Sequence, residues 1–279
     1  MANETTSTTI SELYTEIVAE ALFVASEQSI MRNLVRNYTI AGGGKSVEVP
    51  IYATVSASAV SEASDLSNTA VNPSSVTITA SEVGIMTTLT DLARNSASRN
   101  VAGDIGRLFG EAIARKLDAD LSALFTGFST EKGGGAGQEL TVQDIFEASA
   151  ELRTANAPAP YYGVFHPKQI FNVKKSLTNT FVGRDTELSN EAMRSGFVGS
   201  IAGVQIFESS NISVDGSDDS IGGVFSQDAL ALAMMQDLKI ESQRDASLRA
   251  DEIVATAVYG VSEIHDSYGV KLTADTLAN

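Results

Sequence analysis

A few residues could do chemistry in this chain, and each has a pattern to be tested against. Gly44-Lys45-Ser46 ends like a phosphate-binding loop, in which glycine-freed amides at a helix N-terminus cradle phosphate. The first glycine of that motif falls at Thr39, however, and Val47 to Tyr52 alternates as a strand does, so Gly42 to Gly44 reads as a hinge. A serine nucleophile would sit in a G-x-S-x-G elbow, yet Gly127-Phe128-Ser129-Thr130-Glu131 and Gly260-Val261-Ser262-Glu263-Ile264 both lack the closing glycine. His166 and His265 are the only imidazoles available as a general base. They stand alone in their stretches and do not supply the three or four convergent ligands of a zinc site. Asp215, Asp218 and Asp219 could offer calcium carboxylate oxygens but depart from the D-x-[DN]-x-[DN]-G loop, and a solvated turn is the simpler reading. Asp118 and Asp120 lie about 200° apart on a helix and do not converge as an acid/base pair. No catalytic, cofactor-binding or metal-binding residue is assigned, and no cofactor is expected.

Composition narrows the classes further. The 279 residues are 43% hydrophobic, ordinary for a chain that buries a core of one large or two moderate domains. Nineteen Lys+Arg against 35 Asp+Glu give a formal charge of -16, which disfavours tight non-specific binding to nucleic acid or anionic lipid. Absence of cysteine excludes disulfides, thiolate metal sites and a cysteine nucleophile. The start, MANETTSTTI, lacks a basic n-region leading into an apolar h-region, and no stretch approaches about 18 apolar residues. The expectation is a soluble protein made in the cytoplasm, with no membrane partner.

The elements that would position these residues begin with a helical pattern from Ile10 to Asn37, carried by Leu13, Ile17, Ala21, Ile30, Leu34 and Val35. It serves either as an amphipathic helix on its own core or as an arm on a neighbour. Residues 46–90 are mostly extended, rich in serine and threonine, and hold neither lysine nor arginine. Val47, Val49 and Ile51 alternate, as do Val76 and Ile78, then Val83 and Ile85, around a turn-rich tip from Ser61 to Ser75. Two strands of about 14 residues would reach about 45 Å, and an isolated hairpin is marginal in water. With no obvious core of its own, this ribbon is expected to be held by another copy of the chain.

A long helix follows, from about Ser96 to Thr126, with Ser96 or Ser98 as N-cap and a stripe through Ile105, Phe109, Ile113, Leu117, Leu121 and Phe125. Gly103, Gly106 and Gly110 imply either close packing of another backbone or a start nearer Gly110. Arg107, Arg115 and Lys116 on it are available to touch nucleic acid, but pairing with acidic neighbours on adjoining copies is the preferred reading. Lys132 to Gly137 reads as a flexible connection. Thr141 and Asp144 cap a helix through Ile145, Phe146 and Leu152, Pro158 and Pro160 end it, Tyr161 to Phe165 is a buried strand, and Pro167 opens another helix. Val204 to Phe207, Leu238 to Gln243, Ile253 to Tyr259 and Val270 to Thr273 are extended, with turns at Asp215 to Ser220 and Asp245 to Asp251.

This order of elements resembles the major capsid protein of tailed bacteriophages, the Hong Kong 97-type fold. The phrases that carry it are VEVPIYATVSASAV, TDLARNSA, the helix SRNVAGDIGRLFGEAIARKLDADLSALFTGF, VFHPKQIFNVKK, and GSIAGVQIFESSN followed by VYGVSEIHDSYGVKL. The resemblance implies an α+β fold with an N-terminal arm at 1–45, an extended β-hairpin loop at 46–90, a peripheral domain with a spine helix at 91–139, an axial domain at 140–237, and a peripheral strand return and C-terminal strand at 238–279. It also implies a non-enzymatic structural subunit forming hexamers and pentamers of an icosahedral shell around double-stranded DNA. The shell would assemble in the host cytoplasm, with scaffolding, decoration and portal proteins as partners. The founding member cross-links copies through a lysine on its extended loop; residues 46–90 lack lysine, so no such isopeptide bond is expected. The chain is also too short for the founder's scaffolding segment, which points to a separate scaffold. Rival readings are an encapsulin-like compartment shell, a secreted β-rich adhesin, and a hydrolase using His166 or His265.

Overall fold

Strand β10 (Leu230–Asp245) and strand β11 (Ala250–Glu263) are joined by a tight turn and run antiparallel as the longest ribbon of the protein. In that turn the Asp245 carboxylate accepts hydrogen bonds from the Ser247 and Leu248 amides, while Arg249 sits at φ 50°. β4 (Ser81–Thr90) pairs antiparallel along β11, and β1 (Arg36–Thr39) pairs parallel along the start of β10. The result is a four-stranded sheet in the order β1-β10-β11-β4. These features come from a computed structural model that describes residue 21, residues 29–41 and 44–52, about half of the positions 53–70, and residues 71–96, 101–180 and 199–276.

A short helix α1 (Asp91–Ser96) follows β4, and helix α2 (Val101–Ala123) crosses the sheet. Phe109, Ile113, Leu117 and Leu121 recur every four residues, so one stripe meets Leu232, Leu238, Ile253 and Tyr259. Burying each such side chain contributes about 1.5–3 kcal/mol, which is how a helix with weakening glycines is held. Phe125 and Phe128 continue the stripe beyond the helix and are fully buried, the Phe125 ring lying tilted against Phe225 at 5.4 Å between ring centres.

The second sheet has six strands in the order β5-β12-β9-β6-β8-β7. They are β5 (Glu131–Lys132), β6 (Tyr161–Phe165), β7 (Ser200–Ile201), β8 (Val204–Glu208), β9 (Asp219–Ser226) and β12 (Gly269–Asp275). Helices α3 (Val142–Thr154) and α4 (Pro167–Thr180) pack on it around Ile145, Leu152, Ile170, Val173, Val204 and Leu272. The expected cap is complete: the Thr141 side chain accepts from the Asp144 amide and the Asp144 carboxylate accepts from the Thr141 amide at 2.8 Å. Gly133, Gly135 and Gly137 take positive φ in the preceding connection, a conformation glycine adopts without strain.

Three expectations are corrected. Met31–Asn33 form a 3-10 turn and Arg36–Thr39 a strand, where a helix was expected through Asn37; pairing with β10 overrides local periodicity. Of the stretch from Ile10, residues 10–20 and 22–28 lie outside the described residues, as does Ser98. The long helix is described from Val101 to Ala123, so it does not start near Gly110, and its end is a 3-10 turn at Leu124–Gly127; Asp91–Ser96 is also helical, and residues 97–100 lie outside the described residues. The ribbon at 46–90 is not a hairpin of 14-residue strands. β2 (Ser46–Tyr52) and β3 (Pro73–Thr79) pair over seven residues each, and residues 81–90 are β4 of the chain's own sheet. Residues 269–275, extended as expected, pair with β9 in the six-stranded sheet.

Candidate assembly surface

The β2–β3 hairpin is held at one end only. Val49, Ile78 and Ala80 are buried with Ile40, Ala231, Ala233 and Ile264 from β1's end, β10 and the end of β11. The Ala80 amide donates to the Lys45 carbonyl at 2.8 Å, closing the hairpin base. β11 comes so close here that a Cβ on Gly260 would run into the Thr79 carbonyl. The expectation of a ribbon without any core of its own is therefore corrected for its base: the chain anchors it itself. Beyond the base the picture reverses. Tyr52 is 65% exposed, and Val55, Val60 and Val71 are also exposed, with every described residue of 53–72 open to solvent. The described part of this lysine-free tip is thus left exposed, its valines included.

The strap leading into the body from the N-terminal side is fastened by Asp118. Ser29 Oγ donates to Asp118 Oδ1 at 2.8 Å, the Met31 amide to the same oxygen at 3.2 Å, and the Ile30 amide to Oδ2 at 3.1 Å. Asp118 is 1% exposed, and burial raises its carboxyl above the ordinary value while the hydrogen bonds from Ser29, Ile30 and Met31 pull it back. Outside this clamp Arg32 bridges Asp237 at 3.2 Å and Arg36 bridges Asp228. Asp120 faces elsewhere, accepting from Tyr259 Oη at 2.8 Å and pairing with Lys116 at 2.5 Å. Burial and that carboxylate together push the Tyr259 hydroxyl up. The two aspartates do not converge.

The remaining sequence candidates are dispersed. Lys45 precedes β2 and no helix starts at Ser46, so the loop lacks the amides that bind phosphate. Ser129 Oγ donates to Asp266, and the His265 ring lies tilted against Tyr268 at 4.6 Å between ring centres; among the described residues no hydrogen bond joins His265 to Ser129, as a triad requires. Ser262 lies within β11. His166 Nδ1 accepts from the Lys168 amide at 3.3 Å at the start of α4, and burial lowers the protonation range of both imidazoles. The Asp215 carboxylate accepts from the Ser217 and Asp219 amides and Asp219 from the Gly137 amide, so these oxygens serve a turn. No group of three or more metal-ligating side chains occurs among the described residues. Arg115 pairs with Glu111 at 3.7 Å. No described helix is long and apolar enough to cross a membrane.

Three features escaped the sequence reading. The Asp118 clamp joins residues 87 to 89 positions apart, which local pattern does not reveal. β9 was missed because Gly222 and Gly223 interrupt its apolar pattern; both are needed where the Phe165 and Phe125 rings lie against the strand. Phe146 and Phe171 fit helix patterns, yet both are exposed.

Comparison with known proteins gives a consistent answer. A family model described as phage capsid protein matches residues 73–271. Among solved structures, the capsid of the cyanophage P-SCSP1u aligns over 88% of both chains with a TM-score of 0.69 and 18% identity. A Mycobacterium phage Che8 chain aligns over 82% of this chain and 84% of its own, with a TM-score of 0.66 and 23% identity. The capsid of Ralstonia phage GP4 covers 88% of both chains at a TM-score of 0.71 and 10% identity. No curated protein matches.

Proposed function

The chain belongs to the phage capsid protein family, and from that premise we propose that its exposed arm tip joins neighbouring copies in a closed shell. The protein is a structural capsid subunit with the α+β fold of tailed-phage major capsid proteins; it self-assembles into the capsid lattice and resides in the virion capsid. The observation that carries the proposal is the contrast within one hairpin. Its base is buried against β10 and β11, whereas the described tip has no cover from its own chain.

Hexamers and pentamers closing an icosahedral shell around double-stranded DNA, assembled in the host cytoplasm, are the form this lattice takes. Portal, scaffolding and decoration proteins complete it. A role without an active site is supported by the dispersal of Ser129, His166 and His265 and by the engagement of the acidic side chains in turns and clamps. The domain division is kept as proposed above with two changes: residues 81–90 join the peripheral sheet and 269–275 the axial one.

Negative-stain microscopy of the expressed full chain, alone and with its scaffolding and portal partners, tests the reading. Rings or closed shells are expected, and a denaturing gel of mature particles should show a single monomer band without a covalent ladder. A chain that stays monomeric under both conditions overturns the proposal.

A further inference from the structure

The chain crosses between its two sheets three times: from α2 to β5, from β9 to β10, and from β11 to β12. The three crossings are fastened together at one place. In the last of them the Ile264 and His265 amides both donate to the Ala229 carbonyl of the second, at 2.8 and 3.2 Å. Asp266 then reaches the first, its carboxylate accepting from the Ser129 amide at 2.7 Å and from Ser129 Oγ. The Ala229 bonds join backbone to backbone and do not titrate, so pH acts on this junction through Asp266 and the groups beside it.

Glu263 is the neighbour that matters. It ends β11, half-buried, with its carboxyl laid so closely over Gly127 that a Cβ there would stand 2.8 Å from Oε2. Asp266 is within its hydrogen-bonding reach. Two carboxyl groups side by side repel when both ionise, whereas one proton held between them turns the repulsion into a hydrogen bond. Asp266 already accepts twice from Ser129, which leaves Glu263 to bring the proton as donor. We propose that Glu263 and Asp266 form a latch at the junction of the two sheets, closed by acid and eased toward neutral pH, which sets how far the sheets can turn on each other. The latch belongs to the single chain and is independent of how copies assemble. Burial, the Asp266 charge and that hydrogen bond raise the Glu263 carboxyl above its ordinary value of 4.5. With the folded value raised, the latch's contribution is full below 4.5 and is lost as pH rises through the folded value. The other charged groups around the junction have partners of their own. Asp228, on the second crossing, bridges Arg36, His265 lies between Asp228 and the Tyr268 ring, and Glu131, beyond Ser129, pairs with Lys271 at 3.6 Å. The turn Leu124–Gly127 brings no titratable side chain.

Hydrogen–deuterium exchange of the full chain, expressed as protection relative to the unstructured rate at each pH, tests the latch. Between about pH 5 and about pH 8, protection at residues 127–131 and 264–268 should fall severalfold relative to that at α3. Glu263→Gln keeps the donor without the charge, so its protection should hold at the acid level across the whole range. His265→Gln should keep the wild-type fall, because that imidazole faces Asp228 and Tyr268 rather than the carboxyl pair. A flat wild-type profile overturns the latch. So does a wild-type fall that survives in Glu263→Gln, or one that disappears in His265→Gln. Should Glu263→Gln fail to fold, Asp266→Asn decides by the same measurement: it removes the facing charge, and a fall of undiminished size overturns the latch as well.

Discussion

Replacing Asp118 by alanine tests the claim that one buried carboxylate fastens the N-terminal strap. The substitution leaves the Met31 and Ile30 amides and the Ser29 hydroxyl without their acceptor. Each stranded buried donor costs about 1–3 kcal/mol; the serine rotor can turn to another partner, and loss of a desolvated charge returns part of the cost. The expected net loss is about 2–4 kcal/mol, read as a lower urea midpoint by far-UV circular dichroism, since the chain has no tryptophan. Arg32 and Arg36 lie in the same strap, so trypsin should cut there faster in the variant while the sheets remain protected. The pH dependence has a definite sign. Burial raises the folded carboxyl above its ordinary value of 3.8, so its contribution to stability is full below that value and is lost as pH rises through the folded one. Wild type should therefore gain stability relative to Asp118→Asn on acidification from neutrality to about pH 4. An unchanged midpoint with unchanged cleavage at Arg32 and Arg36 would refute the clamp. A gap that moves the other way would mean that the hydrogen bonds outweigh burial.

Two further substitutions probe the base of the arm and the axial helix. Gly260→Ala places a methyl against the Thr79 carbonyl, which can move only with the β3–β4 corner; a loss of about 1–3 kcal/mol is expected, with faster amide exchange at residues 79–81. Thr141→Ala removes the capping box of α3 and should cost about 0.5–2 kcal/mol by denaturant titration, whereas Thr141→Ser keeps most of it.

Where one side of an element is buried, its sequence already says so, because burial imposes a period that survives in local spacing. The alternation through Val47 to Ile51, the four-residue stripe from Phe109 to Leu121, the Thr141–Asp144 cap and the glycine connection at 133–137 were legible for that reason. The lysine-free composition of 46–90 and the absence of cysteine were settled by counting. Tertiary structure alone decided the rest. Arg36–Thr39 became a strand only because β10 offered an edge, and β9 is a strand despite two glycines because aromatic rings occupy the space of their side chains. The arm's division into an anchored base and an open tip depends on β11 reaching Thr79, and the strap depends on a carboxylate far away in the chain. Contacts between distant segments leave no period behind, so their partners are fixed only when the backbone brings them together.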